Sequence, residues 1–469
     1  MLINAMLGNF LAGLSARIFL ISLPTVAHGL KTDVLAITWA LISFQLAAIS
    51  LSVVFGRLGD IFGRRTIYGM GFVTMTVGAF LCGISQNVLH LIAFRFLQGV
   101  GTAMTQSVAR VLAMEAMPRG SEGKASGLMT TAFHTGFFVG PPLGGLIIDY
   151  INRRGIFFFL VPIGLVGIAL TYMRFALSRE PETVLRSVRI DYLGVALFVT
   201  STVTLTLLLD RRAAEVTGLE HRGFLTFALG GALLGFLVHE YRAPSPIMNL
   251  HLFKVRMFTY SVVSVLLLHI IHGLVDFILP FYIQEVLQLS PSLMGLMFLA
   301  PPVFTITLAT VSGHITDKVG PRVPATIGVL ATIAALFIGA NLRIDSLWIL
   351  PTVMLGLRGI STAFFSSPNH AALVGSVPIE DRGFATGMLH TVVGLGNLVG
   401  ISLGGALLTL GFQYYSGNLG AAPNPDNPFA FVSAMNVNYL IGMGVGVIAL
   451  LASLMRGGAK IQPHPGVGE

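Results

Sequence analysis

Charged side chains are scarce in this chain. Asp, Glu, Lys and Arg make up 10 % of its 469 residues, against about 25 % in an ordinary soluble domain. Too few are present to give so long a chain a water-facing skin. Cysteine is nearly absent: Cys82 stands alone, which excludes an internal disulfide framework and a cysteine-built metal site. Acidic residues number 20 against 28 basic ones, for a net charge of +8. The basic residues are spread through short connectors with no cluster beside aromatics, so nucleic acid is not the expected partner. No glycine-rich loop opens a helix after a strand, no nucleophile stands with a base, and no residues have metal-ligand spacing. The expectation is therefore no enzyme, no cofactor and no metal.

What is abundant is apolar. Hydrophobic residues reach 54 %, glycine occupies 54 positions, and mean hydropathy is +0.82. Lipid is the solvent such a surface suits. A helix of ~20 residues is the natural spanning unit, because the bilayer core offers no water to an unpaired backbone group. The hydrophobic pattern predicts fourteen spans, from 6–27 through 34–55 to 430–455. The first lacks a basic n-region and is too long for a signal-peptide core, so it is expected to be retained. An even count puts both termini on one side. That side's connectors carry 18 of the 28 Lys and Arg residues and the other side's carry 7, with Arg17, Arg95 and Arg358 inside spans. The positive-inside rule then predicts a multi-pass protein of the cell inner membrane with both termini cytoplasmic.

The ten residues GRLGDIFGRR, 56–65, are unusually charged, and they have an echo. Gly56, Asp60, Gly63 and Arg65 recur with identical spacing as Gly313, Asp317, Gly320 and Arg322 in GHITDKVGPR. Arg95 in RFLQGVGTA has a looser match in Arg358 of LRGISTA. Gly140, Gly144 and Gly145 of GPPLGG match Gly400, Gly404 and Gly405 of GISLGG. Three landmarks in one order at nearly one offset predict a duplicated six-helix unit. The expected organisation is an N-terminal bundle over 1–180, an inserted helix pair over 181–245, and a C-terminal bundle over 246–469. Parallel repeats of this kind build secondary transporters with a midplane site.

These residues resemble the major facilitator superfamily, and within it the fourteen-helix drug:proton antiporter branch. GRLGDIFGRR resembles the superfamily signature between helices 2 and 3, RFLQGVGTA the helix 4 signature, and GFFVGPPLGG the helix 5 motif of antiporters. The stretches 153–164, 189–194 and 246–258 resemble connectors of the fourteen-helix branch. The resemblance implies an all-α integral membrane fold: two six-helix bundles around a cavity, plus two inserted helices. It also implies export of small molecules in exchange for protons.

Against that background the polar residues sort into groups. Gly56, Asp60, Gly63, Arg64 and Arg65, with Asp317 and Arg322, are expected to form a conformational latch. The resemblance implies that Asp60 meets a helix terminus and basic partners across the bundles. Arg95 lies within a span and is a functional residue by default. The resemblance implies proton relay, while a structural arginine bonded to carbonyls and Gln98 is the alternative. Gly140, Pro141, Gly144 and Gly145 form either a bendable helix 5 seam or ordinary close packing. Asp276 is a membrane-embedded acid with His272 at i−4 and His269 at i−7 on one helical face; it is the first choice for coupling carboxylate, with the alternative that the three form one polar stripe facing neighbouring helices. The branch usually carries an acid in helix 1, but here GLSARIFLISLPTV has Ser15 at that place, followed by Arg17. Arg17, Gln98 and Arg358 are expected around the substrate cavity, with the alternative that Arg358 packs near a membrane face.

The function expected is a proton-coupled exporter of small amphipathic compounds, of multidrug-efflux type, working by alternating access as a monomer in the lipid bilayer. Two rivals stay open: an organic-anion or lipid transporter on the same fold, since cationic side chains in spans outnumber Asp276, and a membrane sensor or scaffold that transports nothing.

Overall fold

A crossing segment has no water to satisfy its backbone, so it closes its own hydrogen bonds as a helix. The computed structural model describes residues 2–118, 122–175, 192–209, 222–242, 250–378 and 382–456, and regular structure among them is helical throughout. The helices are α1 (Leu2–Leu30), α2 (Val34–Ser50), α3 (Ser52–Phe62), α4 (Arg64–Gly83), α5 (Val88–Glu115), α6 (Glu122–Tyr150), α7 (Gly155–Phe175), α8 (Tyr192–Leu209) and α9 (Arg222–Arg242). They continue as α10 (Arg256–Phe281), α11 (Pro291–Met297), α12 (Ala300–Val319), α13 (Arg322–Gly339), α14 (Ile349–Gly375), α15 (Arg382–Ser416) and α16 (Pro428–Met455).

Among the described residues, twelve helical stretches are long and apolar enough to cross a bilayer, and two shorter apolar helices, Val34–Ser50 and Ala196–Leu208, stand where the other two spans are expected. Fourteen crossings are compatible with this arrangement. Large apolar side chains point outward, among them Phe227, Leu234, Phe337 and Ile448. Together they form a surface that lipid, not water, would cover.

Local chemistry places the helix ends. The Asp33 carboxylate accepts from the backbone N–H groups of Leu35 and Ala36 and starts α2. Asn87 does the same for α5 through His90 N, and Ser290 for α11 through Leu293 N. These caps satisfy donors that a helix N-terminus leaves free. Gly63 and Gly320, partners in the repeat, both have positive φ, 94° and 82°, a region glycine enters without a Cβ penalty. Each breaks its chain between two helices, α3–α4 and α12–α13.

Packing is duplicated as well. Helix α1 packs on α6, α4 on α5 and α7, and α2 on α5. In the same relation α10 packs on α15, α13 on α14 and α16, and α12 on α14. Helices α8 and α9 pack on each other, and α8 touches α2 and α15. The boundaries expected near 180 and 245 lie outside the described residues. In both copies the glycine motif brings two backbones together. A methyl at Gly136 would stand 2.0 Å from the Phe10 carbonyl oxygen, and one at Gly400 would stand 2.1 Å from that of Ile270. Small residues permit this approach, which is a means of helix association that does not depend on water.

Candidate functional site

The centre of the molecule holds one carboxylate between two guanidinium groups. Arg17, near the middle of α1, places Nη1 2.8 Å from Oδ2 of Asp276. Arg358 of α14 donates to both oxygens of the same carboxylate, through Nη2 to Oδ2 at 2.9 Å and through Nη1 to Oδ1. The geometry is a bidentate fork on one side and a single bond on the other. Side-chain exposures are 13 % for Arg17, 9 % for Asp276 and 12 % for Arg358, so the cluster is largely desolvated yet still reachable. Burying one carboxylate with two arginines is tolerable because each charge has a partner, and removing the carboxylate would strand two cations.

Aromatic side chains line the Arg17 flank. Its guanidinium lies 4.1 Å from the Phe137 ring centre, a cation–π distance. Phe137 stacks on Phe133, and His134 on Phe138. The two histidines of α10 are beside the acid. His269 Nδ1 is 2.9 Å from the Val265 carbonyl oxygen, the His272 ring is 5.3 Å from that of His269, and His272 Nε2 is buried without a hydrogen-bond partner.

Arg95 and Gln98 lie apart from this cluster. Arg95 is fully buried and donates to the carbonyls of Ala40 (3.2 Å) and Ser15 (3.5 Å) and to Gln98 Oε1 (2.8 Å). Phe19 and Phe44 close on its guanidinium from either side at 4.6 and 4.2 Å. Its described bonds match the structural alternative weighed for it, and Gln98 faces Arg95 instead of lining the cleft with Arg17 and Arg358.

The α1–α7 and α10–α16 helix sets pack together along α2 and α15, where Gly405 faces Leu35 and Gly394 faces Ile49, and they share polar contacts at the face where connectors 31–33, 151–154 and 286–290 lie. There His28 pairs with Glu285 at 2.9 Å. Gln284 donates to the Ile21 carbonyl at 2.8 Å and accepts from Thr25 at 3.1 Å. Asp149 accepts the Ser292 N–H at 2.9 Å. The helix 5 motif takes part: a methyl at Gly145 would stand 2.3 Å from the Pro291 carbonyl oxygen, and one at Gly295 2.7 Å from that of Pro141. Gly140 and Gly144 instead face Arg17 and Ile18 of α1. The polar bonds at this face, with the Arg17–Asp276 pair at the apex, tie the first set to the second. A π-helical turn, Tyr282–Val286, continues α10 after Pro280 and carries Gln284 and Glu285 to α1. Such turns concentrate at functional sites.

At the opposite face the charged connector is described in part. Arg64 pairs with Glu115 of its own helix set at 2.6 Å, Arg322 is exposed, and Gly56 faces Ser107. The side chains of Asp60 and Asp317 lie outside the described residues, as does that of His390. Sequence reasoning missed Gln284, Glu285, His28 and Phe137. Glu285 sat in an ordinary-looking connector, and nothing in the pattern announces a π turn.

A family model described as Major Facilitator Superfamily matches residues 5–268 and 261–451. A riboflavin transporter, RibZ of Clostridioides difficile (strain 630), is 27 % identical over 455 residues, covering 97 % of this chain and 96 % of that protein. A putative multidrug resistance protein, MdtD of Cronobacter sakazakii, is 30 % identical over 406 residues, 86 % and 84 % of the two chains. Among solved structures, a bacterial homolog of the human lysosomal transporter Spinster, inward-facing and unoccupied, superposes with a TM-score of 0.68 at 15 % identity over 97 % of this chain and 96 % of that one. A peptide transporter POT in complex with sulfate gives 0.66 at 16 % identity, also over 97 % and 96 %.

Proposed function

This chain belongs to the Major Facilitator Superfamily and is a multi-pass membrane transporter of small molecules, not an enzyme; from that premise we propose that it is a proton-coupled exporter of small amphipathic compounds. It belongs, in this reading, to the fourteen-helix drug:proton antiporter branch. It sits in a bacterial inner membrane with both termini cytoplasmic, and one copy suffices. The bundles extend over 1–180 and 246–469, with 181–245 as the inserted pair. The names of the relatives, a riboflavin transporter and a putative multidrug resistance protein, support organic cargo.

The observation that carries the reading is the Asp276 carboxylate, held by Arg17 of the first helix set and Arg358 of the second. A protonatable group tied across the seam is what alternating access needs, because its protonation state alters how the sets hold each other. With the 31–33 face outside, the His28–Glu285, Gln284 and Asp149 contacts support a form closed outward. The latch of Asp60, Arg64 and Arg65, with Asp317 and Arg322, belongs to the opposite conformer. Arg95 holds α5 against α1 and α2, so coupling rests on Asp276 with His272 and His269 beside it.

Proteoliposomes with an imposed pH gradient test the proposal. Wild type is expected to move a fluorescent amphipathic compound against its gradient, and Asp276→Asn to abolish the pH-driven component. Equal pH-driven flux in Asp276→Asn removes Asp276 from coupling, and no flux with any compound class in wild type removes the exporter reading.

A further inference from the structure

We propose that the Arg17–Asp276 pair is a lock between the two helix sets with two keys: a proton on Asp276, and an anionic group of an amphipathic substrate on Arg17. This rests on the exporter reading and assigns its cargo a charge.

Asp276 and Arg358 belong to the same helix set and share a two-bond fork, whereas Arg17 reaches the carboxylate from the other set by a single bond. When the sets part at the 31–33 face, the single bond is the one that breaks. Arg17 is then a lone cation in a poorly solvated site, which is costly. Two events take the Arg17–Asp276 ion pair out of the parting step. A proton on Asp276 ends the ion pair before the sets move. An anion on Arg17 gives the guanidinium a partner that travels with it. Either ligand frees the transporter, and the empty protein stays locked, which prevents uncoupled return of an empty carrier.

Charge balance selects the cargo. One carboxylate between two guanidinium groups leaves the cluster at +1, and a monoanion brings it to neutrality. A cationic drug would raise it to +2 in a region of low dielectric. The surroundings point to an aromatic anion. Phe137 lies under Arg17 at 4.1 Å with Phe133 stacked on it, a platform for a flat ring. His272 Nε2 is buried and unpartnered, with Arg358 and Arg17 among the charges around the ring, and can bond a carboxylate oxygen. The charged and titratable groups facing Asp276 are Arg17 from α1, Arg358 from α14, His269 and His272 from its own helix, and Tyr439 from α16. Among these Arg17 is the one cation contributed by the first set.

The test pairs two probes of equal shape and opposite charge, 1-naphthoate and 1-naphthylmethylammonium. Binding is measured by titration calorimetry on the full-length protein in detergent. Nitroxide pairs at Tyr150 and Leu419, both exposed at the 31–33 face on opposite helix sets, report opening. Wild type is expected to bind naphthoate, more tightly as pH falls toward 5, and naphthylmethylammonium not to compete. Asp276→Asn, with the lock open, is expected to bind naphthoate on the order of tenfold more tightly and without pH dependence. Arg17→Gln is expected to lose it, and Arg17→Lys to keep part. Acid and naphthoate should each widen the nitroxide distance, which should already be wide in Asp276→Asn. Naphthoate that binds no better in Asp276→Asn, or a nitroxide distance unmoved by acid, naphthoate and that substitution, overturns the lock. The two proposals fail separately. Intact pH-driven efflux of another compound with no naphthoate binding leaves the exporter and removes the lock. Naphthoate binding and label movement without pH-driven flux does the reverse.

Discussion

Removing the acid at the apex should expose how much the cluster depends on it. In Asp276→Asn the side chain keeps its shape and loses its charge, and the guanidinium groups of Arg17 and Arg358, both bonded to Oδ2, become neighbours without a counter-ion. Two unit charges about 5 Å apart repel by ~3 kcal/mol at an effective dielectric of about 20. Breaking a buried pair by deleting one partner costs about 3–5 kcal/mol in measured systems, so the two routes agree. Unfolding entropy near 2.1 cal/mol/K per residue makes 1 kcal/mol worth about 1 °C in a chain this long, so Tm should fall by about 3–5 °C. Cys82, the one cysteine and 1 % exposed, supplies the assay: a thiol-reactive fluorogenic dye reports it only when the bundle opens. The triple variant Arg17→Met, Asp276→Leu, Arg358→Met should recover wild-type Tm or exceed it while transporting nothing, because apolar replacement of a buried ion cluster is often neutral or stabilising. An Asp276→Asn protein that melts with wild type, or a triple variant that melts below Asp276→Asn, would refute a desolvated, mutually dependent cluster.

Arg456, just past α16, is 2 % exposed with no hydrogen bond to any of its three nitrogens, and burial brings it down to about 9. Its folded value lies below the unfolded one, so the charged form costs stability at every pH below about 9; Arg456→Met should raise Tm in the dye assay at pH 7 by on the order of a few °C. Gly136→Ala drives a methyl toward the Phe10 carbonyl and should separate α1 from α6, lowering Tm and abolishing flux, whereas Gly313→Ala meets nothing within 4 Å and should be silent in both. Gln284→Ala removes two bonds between the helix sets at the closed face and should speed labelling of a cysteine placed at Ile21 by an externally added, membrane-impermeant thiol reagent.

The crossings were legible because hydrocarbon imposes a single rule on every span: a run of apolar residues long enough to cross. The duplicated motif was legible because glycines at 63 and 320 carry a backbone need that no other residue meets cheaply, and both have positive φ. Asp276 stood out because an acid in a span is costly to insert and therefore rare. Partners were another matter. Arg95 and Arg358 match in the repeat and sit at comparable depth, yet Arg358 reaches a carboxylate and Arg95 finds carbonyls, Gln98 and two phenyl rings. Sequence position sets depth, while the angle between helices sets the partner. Gln284 and Glu285 were hidden for a related reason: one extra residue in the Tyr282–Val286 turn changes the face they present, and no periodic pattern encodes that.

The arginine on α1 acquires its meaning from the same geometry. Where relatives of the drug:proton branch are expected to place an acid, this chain has Ser15, then Arg17, and its acid lies on the opposing set. The polarity of the seam is thereby inverted, with the cation on the first set and the carboxylate on the second. A seam acid on the first helix would favour cationic cargo, because cargo and proton would compete for one negative charge. With the cation there, proton and anion act on opposite members of a single bond. The change predicts that this transporter and a relative retaining the helix 1 acid differ in the sign of cargo charge while sharing fold, closed face and glycine seam. Asp276→Asn in combination with Arg17→Asp would move the acid back across the seam. A preference for 1-naphthylmethylammonium over 1-naphthoate in that double variant is the expected outcome, and an unchanged preference for the anion would place selectivity elsewhere in the cleft.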